Sequence, residues 1–143
     1  MIVTVLDPGS LPDLAAELAA SGLPVSDLAE PDRRFYRFEV DAGVIGYGGI
    51  EGTGADRLLR SLVVKPDRRG TGSGSAVLAA IERAAVADGA VSLYLLTTTA
   101  EPFFHRHGYR NAERADAPAT ITGSAEFRSL CPASAAFLSK RIA

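Results

Sequence analysis

Apolar residues recur along the chain in two spacings, and the spacing changes at glycines and prolines. Ile2–Leu6 is short, apolar and rich in β-branched residues, which predicts a strand, and Asp7-Pro8-Gly9 ends it. Ser10 stands three residues before Asp13, so a helix is expected to start there and run through Leu14 and Leu18 to Ser21. Gly22 stops it and Pro24 bars its continuation, while Asp27-Leu28-Ala29-Glu30 suggests a short helical turn before Pro31. Phe35, Tyr36, Phe38 and Val40 make one strand and Val44, Ile45, Tyr47 and Ile50 another, joined by the turn Asp41-Ala42-Gly43. Gly46, Gly48 and Gly49 weaken the second of these and point to a bulge or a close approach. Beyond the turn Gly52–Asp56, Leu58–Val64 is almost continuously apolar, as in a central strand covered on both faces.

The second half repeats the logic. Gly70, Gly72 and Gly74 open a long helix carrying Val77, Leu78, Ile81, Ala84 and Ala85 at helical spacing and ending at Gly89. Val91–Thr97 reads as a buried strand. Thr99–His107 reads as a short helix capped by Thr98 or Thr99, with Glu101 and Pro102 in its first turn. Extended chain resumes at Gly108-Tyr109, a helical turn is expected over Thr122–Phe127, and Ala135–Ile142 predicts a closing strand. Strands and helices in this order describe a mixed α/β domain, and no linker or repeat divides residues 1–143.

Composition narrows the field. A chain of 143 residues can bury roughly two-thirds of its unfolded surface without metal or disulfide support. Fifteen basic and seventeen acidic residues leave a net charge of −2, which argues against nucleic-acid and anionic-membrane partners. No stretch reaches the roughly 18 apolar residues of a membrane span. Met1–Asp7 lacks a basic region and a cleavage site, so no signal peptide is expected. The single cysteine, Cys131, points to a reducing, cytoplasmic setting, and with His105 and His107 it is too little for a zinc site.

The informative segment is Leu62–Ser75. A buried strand feeds a basic, glycine-rich turn that opens a helix, so several main-chain N–H groups and the positive helix end can converge on one anion. Arg68 and Arg69 can add charge-assisted contacts. A P-loop would need Lys and then Ser or Thr after the last glycine, but Gly74 is followed by Ser75-Ala76. The dinucleotide fingerprint fails as well, because Ser75 or Val77 stands where its third glycine belongs. The pattern Arg/Gln-x-x-Gly-x-Gly/Ala is met by Arg69–Gly74.

In this context, Leu62-x-Val64-x-Pro66-x-x-Arg69-Gly70-x-Gly72-x-Gly74 resembles the acetyl-CoA motif of the GNAT superfamily of N-acetyltransferases. Ala100-x-x-Phe103-Phe104-x-x-x-Gly108-Tyr109 is similar to that family's second motif. The resemblance implies a single GNAT-like α/β domain with a mixed, mostly antiparallel central sheet flanked by helices and splayed at the acetyl-CoA strand. It implies that Leu62, Val63 and Val64 pair with the pantetheine arm and that the amides of Arg69, Gly70, Thr71, Gly72, Ser73 and Gly74 hold the pyrophosphate. It also implies that Thr97 bonds the cofactor arm and that Phe103 and Phe104 flank its thiol end. Phe104 departs from the family, which often places a tyrosine there to protonate the thiolate; a threonine of Thr97–Thr99 or water would then serve. Leu58–Leu62, Leu95–Ala100 and the tail Ser124–Ala135 look like one subgroup, the bacterial arsenic-resistance N-acetyltransferases. That subgroup implies an amino-acid-like acceptor of the arsinothricin or phosphinothricin kind.

Acetyl transfer needs a neutral amine, an oxyanion donor and a route for the ammonium proton. Glu51, at the end of a strand, is the first candidate for proton acceptor, acting through water, with Thr97 as a second catalytic candidate. His105 and His107 have suitable pKa values but read as a solvent-facing side chain and a helix cap. Arg60 inside an apolar strand needs a partner, either a substrate acid group or an internal carboxylate. Ser61, Glu126 and Arg128 are further acceptor-site candidates, whereas Cys131, between Leu130 and Pro132, reads as a small hydrophobe and not a nucleophile. Tyr36, Phe38 and Phe127 pack by default. The expected function is transfer of acetyl from acetyl-CoA to the primary amine of a small molecule by direct attack in a ternary complex. A non-catalytic acyl-CoA-binding module and a protein N-terminal acetyltransferase stay open as alternatives. Dimers are common in the superfamily, and no residue here specifies one.

Overall fold

Arg33–Val40 (β2) buries Phe35, Tyr36 and Phe38, while Gly43–Glu51 (β3) is buried without a break from Ile45 and Asp56–Val64 (β4) from Arg57 to Ser61, which places the sheet centre where the apolar run predicted it. In the computed structural model, which describes residues 1–143, these strands join Ile2–Val5 (β1), Ser92–Thr97 (β5), Arg110–Asn111 (β6) and Ala136–Arg141 (β7) in one seven-stranded sheet. Its order is β1-β2-β3-β4-β5-β7-β6, antiparallel throughout except between β4 and β5.

Helices cover both faces. Ser73–Ala87 (α2) buries Val77, Leu78, Ala80, Ile81 and Ala85 against Phe38, Ile45, Ile50 and Leu59. Leu11–Ala20 (α1) buries Leu14 and Leu18 against Phe35, Tyr47 and Val63 on the opposite face. Glu101–Arg106 (α3) contributes Phe104 to the first core, and the single turn Ala119–Thr122 (α4) sets Ile121 against Leu58 and Phe137. No helix is long and apolar enough to cross a membrane.

Local signals were read less well than elements. Ser10 stands at the N-cap of α1 as expected, but its side chain makes no cap bond; it also ends a 3-10 turn over Pro8–Ser10, whose cap is the Asp7 side chain accepting from the Ser10 N–H. Asp27–Glu30 forms a single turn closed by the Glu30 N–H on the Asp27 carbonyl oxygen, and it does not continue into a helix. α2 starts at Ser73, since Gly70 and Gly72 adopt left-handed φ values of 77° and 81° that a helix cannot contain. The hydroxyl that accepts from the Ala100 N–H ahead of α3 belongs to Thr97, not Thr98 or Thr99. The turn expected over Thr122–Phe127 resolves into α4 and a π turn at Glu126–Leu130.

The glycines of β3 answer to close approach. A Cβ at Gly46 would press on the Val63 carbonyl oxygen well inside van der Waals contact, and one at Gly48 would come within 2.7 Å of Ile81 Cδ1. Since the obstacle at Gly46 is neighbouring backbone, relief must come from parting β3 and β4. Gly46→Ala is therefore expected to cost about 1–3 kcal/mol, a fall in Tm of roughly 5–10 °C, measurable by thermal unfolding monitored by circular dichroism.

Candidate functional site

Two backbone irregularities open the sheet. β4 and β5 pair only from Asp56↔Ser92 to Leu58↔Tyr94 and then diverge. On its other side, β4 pairs Val63 with Tyr47 and Arg60 with Gly49, so that Ser61 and Leu62 together face Gly48 in a bulge. Ser61 holds φ at 58°, a left-handed value that a serine adopts only at a cost on the order of 1 kcal/mol. The divergence leaves a cleft of about 580 Å³ between Leu59–Val64 of β4 and Leu95–Thr97 of β5. Gly74, Ala100, Phe103 and Phe104 line one end, and Arg60, Ser61, Glu126 and Cys131 belong to the other.

At the first end, Gly70, Thr71, Gly72, Ser73, Gly74 and Ser75 leave their main-chain N–H groups without an acceptor in the protein. Unpaired amides at the start of a helix form a site for an anion. Arg69 is exposed, donating from Nε to the Val64 carbonyl oxygen at 3.2 Å and from Nη2 to Ser21 Oγ at 3.4 Å. Gly74 lets α2 approach α3 closely, since a Cβ there would sit 3.2 Å from Phe103 Cε1. His107 stacks on Phe103 at 4.6 Å between ring centroids and spans Ser75 Oγ and the Phe103 carbonyl oxygen, so it ties α3 to α2. His105 is exposed and bonded to Asn111. Phe104 is a core residue, edge-on to Phe103 and Tyr109, and the only nearby phenol, Tyr109, donates to Glu82. The Thr97 oxygen accepts from Ala100, which leaves its O–H free to donate.

The other end is ionic and buried. The Arg60 side chain is fully shielded from solvent, and the partner it required is supplied internally. Its Nη1 and Nη2 each donate to Asp27 at 2.6 Å, Nη1 also donates to Glu51 at 2.8 Å, and Nε lies 3.2 Å from Glu126 Oε2. Arg33 adds a second cation, bonded to Asp27 at 2.9 Å and 3.5 Å from Glu51. Burial opposes charge on Asp27, but the hydrogen bonds from Arg60 and Arg33 hold its carboxyl below the usual range. Glu126 goes the other way: burial pushes it up to about 7 against the attraction of Arg60. Cys131 is also pushed up by burial, to about 11, with its thiol 3.8 Å from Glu126 Oε1, so it stays protonated.

These positions sort the sequence candidates. Leu62, Val63, Val64, Arg69, Gly74, Thr97, Phe103 and Phe104 line the cleft, and so do Arg60, Ser61 and Glu126. Glu51 sits behind Arg60 and does not line it; Arg128 is exposed and also outside it. Phe127 packs on Phe137, and Tyr36 and Phe38 are core. Sequence reading missed Asp27 and Arg33. An arginine in an apolar strand signals that an acid must lie nearby, yet the signal does not say which acid.

Residues 31–111 match the acetyltransferase (GNAT) domain family, and the chain belongs to it. The class that this family defines is that of the GNAT acetyltransferases. None of the curated proteins compared with the chain matches it. Among solved structures it is similar to N-acetylglutamate synthase from Neisseria gonorrhoeae complexed with coenzyme A and N-acetyl-glutamate, with a TM-score of 0.75 and 20% identity over 100% of this chain. The chain spans 36% of that synthase's length. An aminoglycoside 6'-N-acetyltransferase complexed with coenzyme A gives a TM-score of 0.71 at 15% identity, covering 100% of this chain and 98% of that one. The aminoglycoside 6'-N-acetyltransferase from Enterococcus faecium gives 0.70 at 18% identity, with coverages of 100% and 98%. At these identities the likeness is one of fold.

Removing the arginine tests the ionic end. Arg60→Met leaves Asp27, Glu51 and Glu126 with Arg33 alone, and stranding buried charge in this way costs about 3–5 kcal/mol. The stranded carboxylates bind protons more tightly folded than unfolded, so the deficit should shrink as pH falls. Urea unfolding is expected to show a larger gap from the parent protein at pH 8 than at pH 5.

Proposed function

We propose that this protein transfers the acetyl group of acetyl-CoA to the primary amine of a small molecule, by direct attack while both substrates are bound. The observation that carries the proposal is the open edge of β4 leading from a cradle of unpaired amides at Gly70–Ser75 to a buried ionic pocket. An extended ligand bearing amides pairs with such an edge as an added strand, and a diphosphate suits the cradle. On this reading Leu62, Val63 and Val64 guide the pantetheine arm, the amides from Arg69 to Gly74 hold the pyrophosphate, and Phe103 packs near the thioester. The Thr97 O–H is the donor within the cleft for the departing sulfur. A protonated Cys131 leaves no thiolate to carry the acetyl group, which favours direct transfer.

The acceptor enters as an ammonium. An amino-acid-like acceptor, as the arsenic-resistance resemblance suggests, needs a cation for its acid group. Arg60, the residue expected to supply it, is engaged by Asp27, Glu51 and Glu126. The acceptor is a primary amine of a small molecule, acetylated in a reducing cytoplasm where Cys131 remains a thiol.

Coenzyme A release, followed with a thiol reagent over a panel of amines, amino acids, an aminoglycoside and peptides with free N-termini, tests the reading. Steady release with a small amine and intersecting initial-velocity lines are expected, with Cys131→Ser retaining the activity. Gly72→Val forces a β-branched residue to φ 81° and should raise the acetyl-CoA KM about tenfold or more. Acetyl-CoA binding without release would instead identify a sensing module, and release with peptides alone a protein N-terminal acetyltransferase.

A further inference from the structure

The ionic cluster carries one carboxylate too many. Asp27, Glu51 and Glu126 face Arg33 and Arg60, so two cations serve three acids in a space nearly closed to water. The hydrogen bonds are shared unequally. Asp27 accepts from Nε and Nη2 of Arg33 and from Nη1 and Nη2 of Arg60, and Glu51 accepts from Arg60 Nη1. Glu126 receives no aligned guanidinium N–H: Arg60 Nε, 3.2 Å from its Oε2, donates to Ser61 Oγ instead. Oε1 has only the Cys131 thiol, at 3.8 Å. Glu126 is also the one acid of the three that lines the cleft, beside Ser61 at the end away from the glycine turn. It stands at the start of a π turn, a local irregularity that often accompanies function.

We infer that Glu126 is the catalytic residue that binds the acceptor ammonium and takes its proton, and that Glu51 and Asp27 are positioning residues acting through Arg60. The inference rests on the acetyl-transfer reading above. Seating the ammonium on Glu126 supplies the positive charge the cluster lacks. One proton passes from nitrogen to the carboxylate, and the freed lone pair forms a bond to the thioester carbonyl carbon. Collapse breaks the carbon–sulfur bond, the electron pair leaves with sulfur, and the second N–H proton neutralises it to give the coenzyme A thiol and the amide. Glu126 then returns its proton to solvent, so one proton is released per turnover. The groups that set its charge are Arg60 on β4, Glu51 on β3, Arg33 on β2, Asp27 in the loop before β2 and Cys131, with Arg114 acting on that thiol.

The test compares pH profiles of kcat/KM for the acceptor in the parent protein, Glu126→Gln, Glu126→Asp and Glu51→Gln. Since the base must be ionised, the parent rate is expected to rise through an acid limb near pH 7, where burial places Glu126. Glu126→Gln should lose about a hundredfold or more in rate and lose that limb, with the acetyl-CoA KM and Tm nearly unchanged. Glu126→Asp should restore part of the rate with the limb displaced, and Glu51→Gln should keep the limb. In the unmodified protein, carbon-13 NMR of labelled glutamate should show one side-chain carboxyl titrating near pH 7. A Glu126→Gln rate within threefold of the parent with the limb intact overturns the role of Glu126 while leaving acetyl transfer standing; so does the absence of any glutamate carboxyl titrating near pH 7. Acetyl-CoA binding with no turnover on any amine overturns both.

Discussion

A guanidinium that cannot reach water governs the ionic end of the cleft. Leaving Arg60 unpaired in the sheet interior would cost several kcal/mol, so the chain must bring carboxylates to it. They come from three places far apart in sequence: Asp27 before β2, Glu51 at the end of β3, and Glu126 in the π turn after α4. Because all three must converge, the loop after α1 and the segment before β7 are drawn to one end of the cleft. Arg33 relieves part of the surplus negative charge, and the part it leaves falls on Glu126. The ion pairs that hold these segments therefore also define the chemistry available there.

The glycine-turn end works on a different principle, main-chain geometry. The bulge at Ser61 and the early end of β4–β5 pairing leave backbone groups unspent, which a sheet normally avoids. The unpaired amides from Gly70 to Ser75 extend this deficit into the helix start. Polar backbone left unpaired is costly unless a ligand or water completes it, so an extended ligand with amides and a diphosphate fits both regions at once. Side chains matter here mainly by being small, as at Gly72 and Gly74, or flat, as at Phe103.

The difference between the two ends explains what could be read in the sequence. Backbone-driven features leave local traces: glycines spaced along a turn, an apolar run in β4, small residues in β3. All of these were legible, as was the glycine turn that opens α2. Arg60 was legible as a problem, but its solution depended on contacts across 33 and 9 residues of chain, and nothing local identifies Asp27 as a partner. Glu51 looked like the proton acceptor because it ends a strand next to the cofactor strand; tertiary packing instead sets it behind the guanidinium. Glu126 carried only a weak hint, since a π turn has no sequence signature comparable to a glycine loop. Caps failed for a related reason: Thr97, Thr98 and Thr99 have the same chemistry, and only the geometry at the end of β5 selects Thr97.

The phenylalanine at 104 is consistent with where the energetic demand of the reaction lies. An alkyl ammonium with a pKa of about 10.4 is neutral in about one molecule in 2,500 at pH 7, whereas a thiol ionises near 8.5 and its anion departs readily. Proton removal from nitrogen is thus the larger burden, and protonation of sulfur the smaller. An ordinary carboxylate near 4.3 is a poor match for an ammonium. Raising Glu126 to about 7 narrows the mismatch by something on the order of 3 kcal/mol. A phenol at position 104 would ease only the lesser step. As phenylalanine, the side chain packs edge-on against Phe103 and Tyr109 without a polar atom to satisfy, and α3 stays fixed beside the glycine-turn end of the cleft.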